Sequence, residues 1–258
     1  TSGKGGVGKT TVTANLSVSL SLLGKKVIAI DTDIGLRNLD VVMGLENSIV
    51  YNIVDVIEGN CRLKQAIIRD KRFRNLYLLP SAQSKDKSCI NQYQMINLTN
   101  ELKQKFDYVL IDCPAGIEQG FKNAIAGATR AIIVTTPEVS AIRDADRVSC
   151  LLDKAGLYPI NLIVNKIRND LVKKGDMMST DDVTEILSLD LIGMIHDDTD
   201  IVISTNRGEP LAGANSYSSK IFMNIAKRID GEEVPMLNHK NRKFNFFKKY
   251  LTGGFQNV

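Results

Sequence analysis

The sequence predicts an α/β fold: one P-loop NTPase domain on a mainly parallel sheet, with helices covering both faces. Three observations carry this. Short β-branched runs alternate with segments long enough for a crossover helix, and the runs are continuously apolar, as strands buried on both faces are. Polar signatures follow the runs at the strand ends, where a parallel sheet gathers its ligand chemistry. The third observation is the loop at the start of the chain, Gly3-Lys4-Gly5-Gly6-Val7-Gly8-Lys9-Thr10-Thr11, which fits the phosphate-binding pattern G-x-x-x-x-G-K-[ST] and carries a second lysine, Lys4, inside it.

The elements follow in order. Small residues at Gly5, Gly6, Val7 and Gly8 let consecutive backbone N–H groups turn inward around a phosphate, and the next helix adds its N-terminal dipole. Val12, Leu16, Leu20 and Leu23 continue at helical spacing. Lys9 supplies a point charge to the β- and γ-phosphates and Thr10 a hydroxyl to Mg²⁺, while Lys4 can reach towards phosphates held by a second copy. A P-loop hangs from the C-terminal end of a parallel strand. A short apolar strand before Thr1 is therefore expected, lost by truncation or lying outside these residues.

Six runs read as strands: Val27 to Ile30, Leu76 to Leu79, Tyr108 to Ile111, Ala131 to Thr135, Leu162 to Val164 and Leu191 to Ile195. After the first come Asp31 and Asp33. Asp33 is the stronger candidate to face the γ-phosphate, orient the attacking water and serve the metal, and Asp31 the alternative, which can instead cap a turn. Asp112 ends the third run, where a P-loop NTPase keeps the carboxylate that orients Mg²⁺. Pro114 and Gly116 lie in the turn that follows, a switch in which the Gly116 N–H can swing to the γ-phosphate. Asn165 follows the fifth run in Asn165-Lys166-Ile167-Arg168. That stretch begins like a guanine-reading motif, but Arg168 offers guanine no acceptor, so an Asn165 contact to adenine and ATP over GTP are expected.

Composition bounds the rest. At 258 residues and 43% apolar content, one large core suffices. The scattered Cys61, Cys89, Cys113 and Cys150 form no disulfide framework or zinc pattern, which suits a reducing compartment. The net charge of +4 is local: Lys240, Arg242, Lys243, Lys248 and Lys249 lie in an acid-free tail, leaving 28 basic against 29 acidic residues elsewhere. A body-wide surface for nucleic acid is not indicated, and no specific nucleic-acid partner is expected. In the tail, Phe244, Phe246, Phe247, Tyr250 and Leu251 fall on about half of a helical wheel, with Arg242, Asn245 and Lys249 opposite, Lys243 snorkelling from within the apolar arc and Lys248 among the flanking lysines. A short helix of this kind, about 241–251, suits an anionic lipid surface. The chain thus divides into an ATPase domain, 1–231, and a linker with a terminal amphipathic helix, 232–258.

Together these residues resemble the deviant Walker A ATPases and, within that ParA–MinD family, its septum-site-determining MinD branch. Beyond the loop, the match rests on Asp31 to Asp40, Asp112 to Gly116, Pro137 to Arg147, Gly175 to Met178 and Arg207 to Pro210. The resemblance implies an ATP-dependent homodimer in which Lys4 contacts the partner's nucleotide, with Asp33 and Asp112 in the active site and Arg143 and Asp144 near the regulator surface. It also implies a MinC-like division inhibitor, a MinE-like activator and a membrane anchor in the terminal helix. The expected location is the cytoplasmic face of an inner membrane or the stromal face of a plastid inner envelope. Asn-, Ile- and Lys-rich usage points to a plastid-encoded, cyanobacterial-like or AT-rich bacterial source. The alternative is a ParA-like DNA-partition ATPase, which shares the loop but uses DNA as its matrix.

Overall fold

The computed structural model describes residues 1–83, 85 and 89–237. Its strands are β1 (Val27–Asp31), β2 (Ile68–Arg69), β3 (Leu76–Leu79), β4 (Tyr108–Asp112), β5 (Ala131–Thr135), β6 (Ile160–Ile167) and β7 (Asp190–His196). One sheet runs β2-β3-β1-β4 and a second β5-β6-β7, and every pairing is parallel except β2 with β3. The six expected runs all lie in strands. β2, a two-residue antiparallel edge, was not expected, and β6 extends past Val164 to include Asn165 and Lys166, where polar residues interrupt the apolar run.

The two sheets frame a slot. Thr1 begins it: its amino group donates to Ile132 O (2.8 Å) and its carbonyl accepts from Val134 N–H (2.9 Å), the parallel pattern against β5. From there a cavity of about 950 Å³ separates β4 from β5, lined by Leu16, Tyr108, Leu110, Ile132 and Val134 among others. On β4 the residues Tyr108 to Ile111 are only half-buried, whereas all of β1 is buried.

Helices close both faces. The P-loop helix (Lys9–Leu22) and the helix Tyr217–Ile229 pack on each other over one face, burying Val12, Leu16, Leu20, Ile221, Phe222 and Ile225 with β1, β3 and β7 residues. The helix Gln92–Lys103 covers the other face of β1 and β3 through Met95, Leu98 and Leu102. Against β5 and β6 lies the helix Val139–Lys154, with Ile142, Ala145, Val148 and Leu152 inward. Burial of aliphatic side chains on this scale, about 1.5–3 kcal/mol each, is what holds the strand ends in register around the loop.

Residues 232–237 have no regular structure, yet they remain against the body, with Leu237 packed on the core beside the helix Tyr217–Ile229. The amphipathic helix expected at about 241–251, with Phe244, Phe246, Phe247, Lys248, Lys249, Tyr250 and Leu251, lies outside the described residues. Among those described, no helix is long and apolar enough to cross a membrane.

Candidate nucleotide-binding site

The P-loop is held open from behind by β6. Asn165 Nδ2 donates to Val7 O (2.8 Å) and Lys166 Nζ to Gly6 O (2.7 Å). With these carbonyls tied back, the N–H groups of the loop are what remain to meet an anion, at the N-terminus of a 14-residue helix. Gly8 is required twice over: its φ is +95°, and a Cβ there would stand 2.4 Å from Asn165 Nδ2. Asn165 therefore acts first on the loop, through a side chain expected from sequence to reach a base. Lys166 was not singled out from sequence. It takes a left-handed backbone (φ 57°), and its only signal was the Asn-Lys pair closing an apolar run.

The metal-side residues converge on Asp112. It is buried at the end of β4, and the hydroxyls of Thr10 and Thr13 (3.3 Å) donate to its carboxylate. The Thr32 hydroxyl and N–H both donate to its carbonyl, at 2.6 and 3.1 Å. Burial raises the Asp112 carboxyl above its ordinary range, opposed by the Thr10 bond and the Lys9 charge. Its register partner on β1 is Asp31. Burial first, and then the Asp112 charge, push the Asp31 carboxyl up to about 7. Thr13 and Thr32 are further site residues that sequence spacing alone did not mark.

Asp31 and Asp33 have separate jobs. Asp31 Oδ1 accepts from Asp33 N–H (2.9 Å), and Oδ2 accepts from the N–H groups of Asn38 (3.1 Å) and Leu39 (3.2 Å). Its carboxylate is committed to building the loop 32–39. Asp33, half-buried at the start of that loop, is the carboxylate the loop carries. Past β4, Gly116 has φ +89° with open space around a Cβ, so the glycine serves conformation rather than packing. Pro114 packs towards Gly120 in the same turn, and burial raises the thiol of Cys113, which makes it a filler rather than a nucleophile.

Two adjacent buried carboxylates, each held above its usual range, form a site whose charge a divalent cation would offset. Thr10 and Asp112 fit Mg²⁺ bound largely through water and phosphate, the way that ion is commonly held. Among the described residues no cluster of three or more His, Cys, Asp or Glu makes an all-protein metal site.

On the opposite flank, Lys4 Nζ lies 3.0 Å from Glu138 Oε2 and 3.0 Å from Ser140 Oγ, at the start of the helix Val139–Lys154. That helix touches the loop itself. A Cβ on Gly3 would stand 2.5 Å from Asp144 O and 2.6 Å from Asp144 Cβ. Arg143 is exposed beside it, so the residues expected at a regulator surface sit directly behind the P-loop.

A glycine loop at a helix start, Lys9 at its end and a second lysine, Lys4, inside the loop define a P-loop ATPase of the deviant Walker A class. Comparison with known proteins agrees. Residues 1–157 match the family described as AAA domain. The septum site-determining protein MinD of Bacillus subtilis is 56% identical over 239 residues, 92% of this chain and 89% of that protein. The solved MinC:MinD cell division complex of Aquifex aeolicus superposes with TM-score 0.86 at 45% identity, covering 92% of this chain and 97% of that one. MinD of Pyrococcus horikoshii, solved with Mg-ADP, gives TM-score 0.82 at 34% identity over 90% of this chain and 94% of that one. This chain belongs to the MinD family of septum site-determining ATPases.

Proposed function

We propose that the chain is an ATP-switched membrane ATPase that helps to place a division site. ATP is held by the loop Gly5 to Thr11, with Lys9 on its phosphates, Mg²⁺ beside Thr10 and Asp112, and Asn165 setting the loop against the base side. Mg²⁺ bound there would supply charge neutralisation between the phosphates. Asp33 orients the attacking water, and Lys4 crosses to the nucleotide of a second copy in an ATP-dependent homodimer. A MinC-like inhibitor and a MinE-like activator meet the dimer near Arg143 and Asp144. The tail anchors it as a peripheral protein on the cytoplasmic face of an inner membrane, or on the stromal face of a plastid inner envelope.

The observation that carries this reading is the position of Lys4. A loop lysine spent on its own phosphates would point into the loop; this one lies at an exposed edge, on Glu138 and Ser140, where a second copy can reach it. The helix carrying those partners also bears Asp144 against Gly3, which gives a regulator bound there a direct path to the nucleotide loop. The Aquifex relative solved with MinC supports the inhibitor as a partner. A lone apolar tail binds a bilayer weakly, whereas two tails on a dimer gain avidity of ~10²–10⁴. The test is co-sedimentation with anionic vesicles in ATP and in ADP. Binding is expected to be far tighter in ATP than in ADP, where only the weak contact of a single tail remains. Phe247→Glu should abolish it with ATP-dependent dimerisation intact, and Lys4→Ala should bind ATP but lose dimer-stimulated hydrolysis; vesicle binding by Phe247→Glu in ATP overturns the anchor.

A further inference from the structure

The segment after the last helix is clasped to the body by the Arg228 fork together with the apolar seat of Met236 and Leu237, and both are needed to hold it. Arg228, in the final turn of the helix Tyr217–Ile229, donates from Nη1 to Ile192 O of β7 (2.8 Å), from Nε to Val234 O (3.0 Å) and from Nη2 to Pro235 O (2.7 Å). Asn224, one turn earlier, donates to the same Pro235 carbonyl at 3.5 Å. Met236 and Leu237 then close over Met194 and Ile221. A guanidinium presents its donors in a rigid fork, and here the fork spans two separate stretches of main chain. A lysine, with a single nitrogen at its tip, cannot reproduce that span. The turn before the strap is set independently, by Glu232 N–H to Lys227 O (2.9 Å).

We propose that Arg228 and the strap 233–237 fix the root of the membrane tail at the edge of β7, and so set the reach with which the two tails of a dimer meet a bilayer. This rests on the anchor reading above. With the clasp closed, six residues, 238–243, separate Leu237 from Phe244; with it open, eleven residues, 233–243, separate the held turn from Phe244. Once one tail is inserted, the effective concentration of the second falls roughly as the −3/2 power of tether length. Opening the clasp is therefore expected to weaken ATP-dependent membrane binding roughly two- to threefold. Arg228 is a positioning residue in this scheme, remote from the nucleotide.

The experiment is a titration of the full chain with vesicles of phosphatidylglycerol and phosphatidylcholine, in ATP and in ADP. Arg228→Ala and Arg228→Lys should both bind two- to threefold more weakly than the unaltered chain in ATP and equally in ADP, because single-tail binding does not depend on the root. Arg228 also bonds β7, so Leu237→Ser, which releases the strap without touching Ile192, serves as the second variant and should show the same split. Insertion of five Gly and Ser residues after Leu237 in the unaltered chain should reproduce the loss. Equal binding in ATP by Leu237→Ser and the unaltered chain, equal losses in ATP and ADP, or an insertion without effect would each overturn the clasp. Phe247→Glu in the same series separates the two readings: if it binds as the unaltered chain does, the anchor fails and the clasp with it, whereas an anchor lost in Phe247→Glu beside unaffected clasp variants rejects the clasp alone.

Discussion

The two flanks of the P-loop are built on opposite electrostatic terms. On the β1–β4 flank, Asp31 and Asp112 are buried side by side, crossed by hydrogen bonds from Thr10, Thr13, Asp33, Asn38 and Leu39. On the helix flank, Lys4 and Glu138 are largely exposed, with side-chain accessibilities of 40% and 56%. A buried charge is costly to move and holds its geometry, while an exposed ion pair exchanges partners at little cost. On the reading proposed above, chemistry belongs to the first flank and the contact made and broken with each dimer to the second.

The sharpest break of this comparison is Asp33→Ala. Asp31, Asp112, Thr10 and Lys9 still hold the loop and the phosphates, so ATP should remain bound, while hydrolysis should fall by ~10²–10⁴ if Asp33 positions the water. Single-turnover measurement decides it. An unchanged rate would move that role away from the loop that Asp31 builds.

A smaller effect should appear in the pH dependence of the buried flank. The Asp31 carboxyl stands at about 7 in the fold against 3.8 ordinarily, so between those values the folded state holds a proton that the unfolded chain lacks. Stability without nucleotide should therefore rise as pH falls from 8 through 7 towards 5, and the ionised pair should cost stability above 7. Mg²⁺ favours the ionised carboxylates, so thermal unfolding with Mg²⁺ and nucleotide should lose that slope. A slope of the same size with and without the ion would remove Asp31 as its source.

The smallest effect belongs to the exposed flank. Glu138→Gln should shift unfolding by no more than about 1 kcal/mol, the usual range for a solvent-exposed pair. A larger loss in a denaturant titration would show that Lys4 is locked in the monomer rather than parked.

How much of this was legible in sequence depends on the distance between the partners. Ala131 to Thr135 is a strand with the expected ends because a β-branched run between turn residues has no competing period. The loop Gly3 to Thr11 reads as a phosphate site because its residues act within nine positions of one another. Ile68–Arg69 was invisible because two residues show no period, and it is a strand only because Leu78 and Tyr77 offer it an edge. Asn165 and Lys166 looked like strand-end residues, and their bonds to Val7 and Gly6 span about 160 positions that no local pattern encodes.

By itself, then, the sequence determined the class of fold, the phosphate loop, the carboxylates after the strands and the charge of the tail. Each is a matter of neighbours along the chain: apolar spacing, glycine freedom and the length of a charge run. The tertiary structure alone decided that Asp31 builds the loop while Asp33 rides on it, that Lys4 rests on Glu138, that Asp144 backs Gly3, and that Arg228 carries the strap 233–237 on the body. Those facts depend on which strand ends the parallel sheet brings together, and packing sets that across the whole chain.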